Sequence, residues 1–448
     1  MVLRKTLWGV GEPTESTIGH SDEEEGNSLL LRREADMASR VLAMVMAGGE
    51  GQRLFPLTRD RAKPAVPFGG KYRLIDFVLS NFINSEIYSI YVLVQFKSQS
   101  LIEHLQARWR FGALVPENFF ISTVPAQMRL GQTWYQGNAD AVYQNLHLIK
   151  NFKPDIVAVF GADHIYRMDI RQMVAFHLER QAEVTIAAFP VLVEEGSAFG
   201  ILQVEPEGGV TSFQEKPAQP HPLPRDPRYC LASMGNYLFT TSALISLLEQ
   251  DALQDSSTHD FGRDIIPPLI GRQPVYAYDF WKNHIPGETE GEYPYWRDVG
   301  TLDAYYEANM DLRDVTPKLN LYNPRWPIQA GTSISPPAKF IFNDWNRQGV
   351  AIQSVVAEGC IISGGAVIDS VLGRNVVVHS FSRVEWSILM DNCHIHRHAR
   401  VRRAIIDKNV EVPEGEAIGW DLEHDRQRFT VTDSGIVVIP KDYVFPRQ

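Results

Sequence analysis

Val41-Leu42-Ala43-Met44-Val45-Met46-Ala47-Gly48-Gly49-Glu50-Gly51-Gln52-Arg53 is the stretch on which the reading of the fold turns. Six apolar residues form a run short enough for a buried strand, and three glycines within four residues end it in a turn. Glycines after a strand let backbone N–H groups come close to a phosphate. The spacing is not that of a dinucleotide-binding loop, and no Gly-Lys-Ser/Thr closes it as in a nucleoside-triphosphatase loop. Arg53 follows with a planar fork suited to phosphate oxygens, and ten residues later Lys63-Pro64 adds a compact cation. A glycine turn alone serves geometry as often as ligand binding, so the added cations carry the signal.

Outward from this turn the chain alternates. Apolar runs at 90–94, 156–160 and 184–188 read as further buried strands. Amphipathic stretches at 75–84, 98–108, 139–150 and 170–181 read as helices between them. This predicts an α/β domain with a mostly parallel sheet covered on both faces, over 41–315. Ligands of such sheets bind beyond the carboxyl ends of the strands.

The last hundred residues follow another rule. Segments starting at Ser354, Ser370, Ser387 and Ala404 repeat in steps of 16, 17 and 17 residues. Aliphatic residues recur at the second place (Val355, Val371, Ile388, Ile405) and the third (Val356, Leu372, Leu389, Ile406). They recur again at the ninth (Ile362, Val378, Ile395, Val412) and the fifteenth (Ile368, Val384, Val401, Ile418). The sixth place is Gly359, Asn375, Asn392, Asn409, residues that tolerate a left-handed corner. Stacked coils of about 17–18 residues, a β-helix, are the expectation for 351–448. Cys360 and Cys393 fall on a core row and read as small buried hydrophobes. His394, His396 and His398 alternate around inward-pointing Ile395, so they face outward rather than forming a metal site.

Residues 1–40, with the acidic run Asp22-Glu23-Glu24-Glu25, read as a disordered tail. The Pro-rich stretch 316–350 reads as a linker, and 287–292 as an exposed acidic insertion. A net charge of −11 argues against a general nucleic-acid binder while allowing a local basic pocket. No run of about 18 apolar residues predicts a membrane span. Three scattered cysteines build neither a disulfide framework nor a zinc site, which fits a reducing cytoplasm.

Three further constellations bear on chemistry. Gly161-Ala162-Asp163-His164 follows a buried strand, where Asp163 is placed either to hold a hard cation such as Mg²⁺ or to cap a helix. Asp298 in Trp296-Arg297-Asp298-Val299-Gly300-Thr301 is either a second carboxylate for that cation or the cap of the helix beginning near Thr301. In Glu215-Lys216-Pro217, Lys216 reads as a sugar-phosphate cation and Glu215 as an acceptor of sugar hydroxyls, or both as a solvated pair.

Taken with Gly69-Gly70-Lys71-Tyr72-Arg73-Leu74-Ile75-Asp76-Phe77, Trp134 to Val142, Ser197 to Gly200, Ala232 to Tyr237 and His259 to Gly262, these stretches resemble the glucose-1-phosphate adenylyltransferases of bacterial glycogen synthesis. The resemblance implies a Rossmann-like nucleotide-diphospho-sugar transferase domain and a C-terminal left-handed β-helix. It implies ATP and glucose-1-phosphate as substrates, with Mg²⁺ on Asp163 and Asp298 and with Arg53 and Lys63 neutralising pyrophosphate. Lys216, Glu215, Ser233, Tyr135, Gly200 and Asp260 would meet the sugar phosphate. Gly48, Gly49, Gly51, Gln95, Gln127 and Gly137 would meet the nucleotide. It further implies a homotetramer and small-molecule metabolite effectors, with Arg61, Arg73, Arg402 and Arg403 available for an anion site. Asp60 stands where the enteric pattern has a lysine, which points to a different effector preference. A sister enzyme using UTP, GTP or dTTP, an acyltransferase built on the β-helix, and a non-catalytic regulatory subunit are the rival readings.

Overall fold

The computed structural model describes residues 39–109, 118–129, 133–289, 291–331 and 334–446. The tail expected at 1–40 lies almost wholly outside them. The first strand, Val41–Met46, is the middle of a ladder that runs Phe120–Pro125, Ser89–Val94, Val41–Met46, Ile156–Gly161, all parallel. Its side chains alternate between two cores. Ala43 and Val45 pack under Ile75, Val78, Leu79 and Phe82 on one face. Leu42 and Met44 pack under Val142, Leu146, Ile149 and Leu248 on the other. All but Leu248, on the unpredicted helix Thr241–Asp251, belong to helices that the strand–helix alternation predicts, and both faces are covered. The long strand Tyr229–Thr240 then joins Ile156–Gly161 antiparallel, and it carries Val184–Leu192 and Gly200–Val204, also antiparallel. Val275–Asp279 returns parallel to Val184–Leu192. The nine-stranded sheet is therefore parallel in the half that ends in the glycine turn and mixed beyond it.

The helix expected at 139–150 is two helices, Asn138–Tyr143 and Leu146–Phe152. The break has a local cause. The Asn145 amide donates to the Ala141 carbonyl and to the Tyr135 hydroxyl, so its side chain competes with the helix ladder.

Three sheets of five, five and six strands build the C-terminal coils, parallel throughout except for the edge strand Thr430–Val431 of the third. Rows two and three are in the register that the repeat predicts. A strand cannot aim two neighbours at one core, and the structure resolves the conflict. Val356, Leu372, Leu389 and Ile406 point into the coil. Val371, Ile388 and Ile405, with Val355 at the margin, point out, onto Phe77, Leu302, Tyr305 and Met310 of the first domain. The fifteenth row needs correction. Val384 pairs with Val367, not Ile368, because the first coil is one residue shorter near the Gly364-Gly365 corner. Gly359, Asn375, Asn392 and Asn409 do take φ of +57° to +80°. The three asparagines then form a ladder, each amide donating to the next side-chain carbonyl, at 3.2 and 3.0 Å, and ending on Asp442 at 2.8 Å.

Two more expectations change. The β-helix begins inside the stretch read as linker: Lys339–Ile341 already lies on Ile361–Ser363. In the acidic insertion, Glu292 is held by Arg167 at 3.4 Å and by Asn320 at 3.0 Å. Between the domains, Arg61 makes a buried forked ion pair with Asp407 at 3.0 Å.

Two predictions follow from these contacts. Replacing Asn392 by Ala leaves a left-handed residue without its side-chain ladder, and should cost about 1–3 kcal/mol. Asn392→Gly, which relieves only the backbone, should cost less; denaturant midpoints of the two variants check the order. His177 is buried with its ring nitrogens at 2.8 Å from Thr185 Oγ1 and 3.2 Å from Thr240 Oγ1, and burial pushes its pKa from 6.5 down to about 4. The unfolded chain takes this proton first, so stability is full above 6.5 and is lost as pH falls toward 4. Unfolding titrations of His177→Gln should show a flatter pH dependence in that window than the wild type.

Candidate active site

The parallel strands end on one side of the sheet, and a cavity of about 760 Å³ opens there. Three segments far apart in sequence converge on one ammonium. Lys63 Nζ lies 3.1 Å from Asp163 Oδ2 and 3.2 Å from Asp298 Oδ1. Asp163 follows the Ile156–Gly161 strand directly. Asp298 arrives because Trp296–Asp298 pairs antiparallel with His164–Tyr166, placing Asp298 opposite His164. Neither carboxylate is a helix cap. Thr301 caps the helix Leu302–Asp311, and Asp169 caps Ile170–Glu179.

The electrostatics follow from this geometry. Burial alone would raise the Asp163 carboxyl, but the Lys63 ammonium and the His164 ring beside it hold it well below the usual range. Burial alone would lower Lys63, and the two carboxylates outweigh it and raise its pKa. Both charges persist across neutral pH. Two carboxylates within reach of one cation are also the donor set a hard divalent ion uses, with phosphate oxygens completing its shell. Among the described residues no three His, Cys, Asp or Glu side chains gather as a metal cage. The residues present therefore fit Mg²⁺ held by two carboxylates together with a phosphorylated ligand.

Glycine geometry sets this corner. Gly51 has φ +65°, and a Cβ there would stand 2.8 Å from Lys63 Cβ. Gly51 thus lets the turn pass against Lys63. Gly48 packs on Gln95, where a Cβ would meet Gln95 Cβ at 3.3 Å. Gln95 in turn holds Tyr135 by paired hydrogen bonds, accepting from its N–H at 2.8 Å and donating to its carbonyl at 3.3 Å. Arg53 reaches Gly300, next to Asp298. Lys216, with φ +46°, donates to Glu215 at 2.6 Å, and its side chain is largely exposed. Ser233 accepts from the Gly235 N–H at 3.2 Å.

The cavity is lined by Arg53, Lys63, Asp163, Asp298, Lys216, Glu215, Ser233, Tyr135, Gly200, Asp260, Gly48, Gly49, Gly51, Gln95 and Gly137. Of the residues singled out for substrate, Gln127 is the exception. It lies exposed just past the Phe120–Pro125 strand and outside the lining. His164, Asn138, Tyr237 and Trp296 also line the cavity and were not singled out. Each stands in or next to a stretch that was, so adjacency was the only signal for them.

The four arginines set aside for anions do not form one site. Arg61 is buried and its two terminal nitrogens are committed to Asp407. Arg402 lies over Trp420, and Arg403 is exposed on the same strand end. Only Arg73 lines a second, 250 Å³ cleft between the domains, with Lys71, Arg374 and Lys408.

Comparison with known proteins agrees with this geometry. A nucleotidyl transferase family model matches residues 42–315, and a GlmU-like C-terminal hexapeptide model matches 336–439. A glucose-1-phosphate adenylyltransferase of Thermus thermophilus is 57% identical over 411 residues, covering 90% of this chain and 99% of that protein. Proteins of the same name from Anaeromyxobacter sp. and Deinococcus radiodurans are 55% and 52% identical, covering 90% and 91% of this chain and 98% and 100% of their own. The chain belongs to the glucose-1-phosphate adenylyltransferase family. Its hexapeptide match and three mostly parallel sheets make the C-terminal part the left-handed β-helix of this family.

Gly51→Ala tests the corner directly. A methyl group there pushes on Lys63 and strains the turn, so turnover should fall by about tenfold or more and the unfolding midpoint should drop as well. Steady-state kinetics beside a thermal melt check it.

Proposed function

We propose that the chain transfers the adenylyl group of ATP to glucose-1-phosphate, releasing pyrophosphate and forming ADP-glucose. The observation that carries this reading is the meeting of Asp163 and Asp298 on one buried ammonium, in the same cavity as Glu215-Lys216. A phosphate oxygen of the sugar phosphate forms a bond to the α-phosphorus, and the bond from that phosphorus to the β-phosphate oxygen breaks. The nucleophile is already ionised at neutral pH, so no general base is needed. Positioning and charge neutralisation supply the catalysis. Mg²⁺, held by Asp163 and Asp298, would stabilise charge in the in-line displacement. Lys63 and Arg53 neutralise the departing pyrophosphate. Lys216 holds the sugar-phosphate anion, and Glu215, Ser233 and Asp260 orient the sugar. Gly48, Gly49, Gly51, Gly137 and Gln95 form the nucleotide side, and Tyr135 and Gly200 meet the sugar phosphate.

Domain limits of 41–315 and a β-helix from about 339 support the assignment of chemistry to the first part and assembly or control to the second. Metabolite anions are read onto the interdomain cleft of Lys71, Arg73, Arg374 and Lys408, with an effector preference unlike the enteric one. Exposed Phe340, Phe342 and Phe381 on the β-helix support association of copies, four being the number the family resemblance implies. Among the described residues no helix is long and apolar enough to cross a membrane, and all three cysteines are buried and unbridged, which supports the cytoplasm.

The test is pyrophosphate release from glucose-1-phosphate and Mg²⁺ with each nucleoside triphosphate in turn. ATP should be the substrate used, and Asp163→Asn should lower the rate by about a hundredfold or more. Release with another nucleotide alone would make the chain a sister enzyme. Absence of release with all of them would favour the regulatory subunit.

A further inference from the structure

Outside the residues assigned to the reaction, one largely buried hydrogen-bonded pair sits directly behind the cavity. Asp251 ends the helix Thr241–Asp251, and its Oδ2 lies 2.6 Å from His259 Nδ1. Its Oδ1 accepts from Ser257 Oγ at 2.6 Å, and that hydroxyl accepts the His259 N–H at 2.9 Å. Asp251 thereby closes a small loop on itself and holds His259 at φ +54°, a left-handed backbone uncommon outside glycine, which His and Asn accept more readily than other side chains.

The held strap, 257–260, crosses the start of the Asn138–Tyr143 helix. The His259 carbonyl accepts the Ala139 N–H at 2.8 Å. It passes so close that a Cβ on Gly137 would stand 2.2 Å from it. One residue further, Asp260 Oδ2 accepts from Asn138 Nδ2 at 2.8 Å, and Asn138 Oδ1 accepts the Phe261 N–H at 2.8 Å. Asp260 Oδ1 takes the Gly262 and Arg263 N–H groups at 2.9 and 3.0 Å. Gly262 lies against the Glu215 carboxylate. The strap therefore touches Gly137 on the nucleotide side and the Asp260–Gly262 turn on the sugar side.

We propose that Asp251 and His259 are positioning residues for the transfer: their pair fixes the strap that sets Gly137 and Asp260 together, and so aligns the nucleotide with the sugar phosphate. This rests on the adenylyl-transfer reading above. Neither residue lines the cavity, so each acts through what it holds. One imidazole nitrogen does the work, Nδ1, and an asparagine amide nitrogen can occupy the same place relative to the backbone. Asparagine also accepts a left-handed backbone. Glutamine reaches instead toward the position of Nε2.

The experiment compares His259→Asn, His259→Gln and Asp251→Asn with the full-length wild type, by steady-state kinetics with each substrate varied and by thermal unfolding. The expected result is KM raised about tenfold for ATP and for glucose-1-phosphate together in His259→Gln, with His259→Asn within about threefold of wild type at the same unfolding midpoint. Asp251→Asn should resemble His259→Gln. A purely structural role would move the unfolding midpoint of His259→Gln and leave both KM values alone, and that would overturn the proposal. Equal effects of Asn and Gln, or a change confined to one substrate, would overturn it too. A wild type without adenylyl transfer would show at the first assay, before any variant, and would remove the reading and this proposal together.

Discussion

One ammonium group shared by two carboxylates organises the catalytic end of this molecule. Lys63, Asp163 and Asp298 come from segments 100 and 235 residues apart. Each reaches the point by a different device: a short helical turn Lys63–Ala65 held by Pro64, the end of a buried strand, and a three-residue strand pairing. Remove the cation and two like charges face each other in a partly buried place. Remove a carboxylate and a buried ammonium loses a partner. The cluster is thus stable only complete. Completeness brings the glycine turn, the first long strand and the helix Leu302–Asp311 to one corner. The rest of the cavity is arranged around that corner.

Much of this was legible from residue order alone. The strand Val41–Met46 and its glycine turn, the alternation that follows, and the rows of the repeat all rest on local periodicity, which survives without tertiary information. The pairing of Asp298 with Asp163 was not legible, because nothing near Asp298 announces that Trp296–Asp298 will lie beside His164–Tyr166. For the same reason Asp298 read equally well as a helix cap until Thr301 was seen to fill that place. Arg61 was misjudged as a free cation since its partner, Asp407, is 346 residues away. The split at Gln144-Asn145 was hidden because the competing donor is a side chain, the Asn145 amide, whose partners the periodicity does not show. The fifteenth row of the repeat slipped by one because periodicity does not say at which corner a shorter coil loses its residue.

The two halves of the chain are bound in a manner that ordinary linkers do not produce. One sheet of the β-helix is apolar on both surfaces. Leu372, Leu389 and Ile406 fill its own core, while Val371, Ile388 and Ile405 enter that of the first domain. Arg61–Asp407 and Arg313–Asp369 lie at its margins as oriented charge pairs. Burying apolar surface is non-directional, and the ion pairs fix the register that such burial alone leaves open. A cleft lined by Lys71 and Arg73 of the first domain and by Arg374, Asp391 and Lys408 of the β-helix lies along the same seam.

The same seam bears on how the molecule is made. Its last contributors are Ile436 and Val438, just before and within the strand Val437–Ile439 that lies against Ala404–Ile406. The first domain is synthesised before this strand, so Leu302, Tyr305 and Met310 lack their full cover until Ile436 and Val438 have been added. The first domain can assemble its sheet early, but a chain without this strand leaves the outer apolar face open to the solvent and to its neighbours.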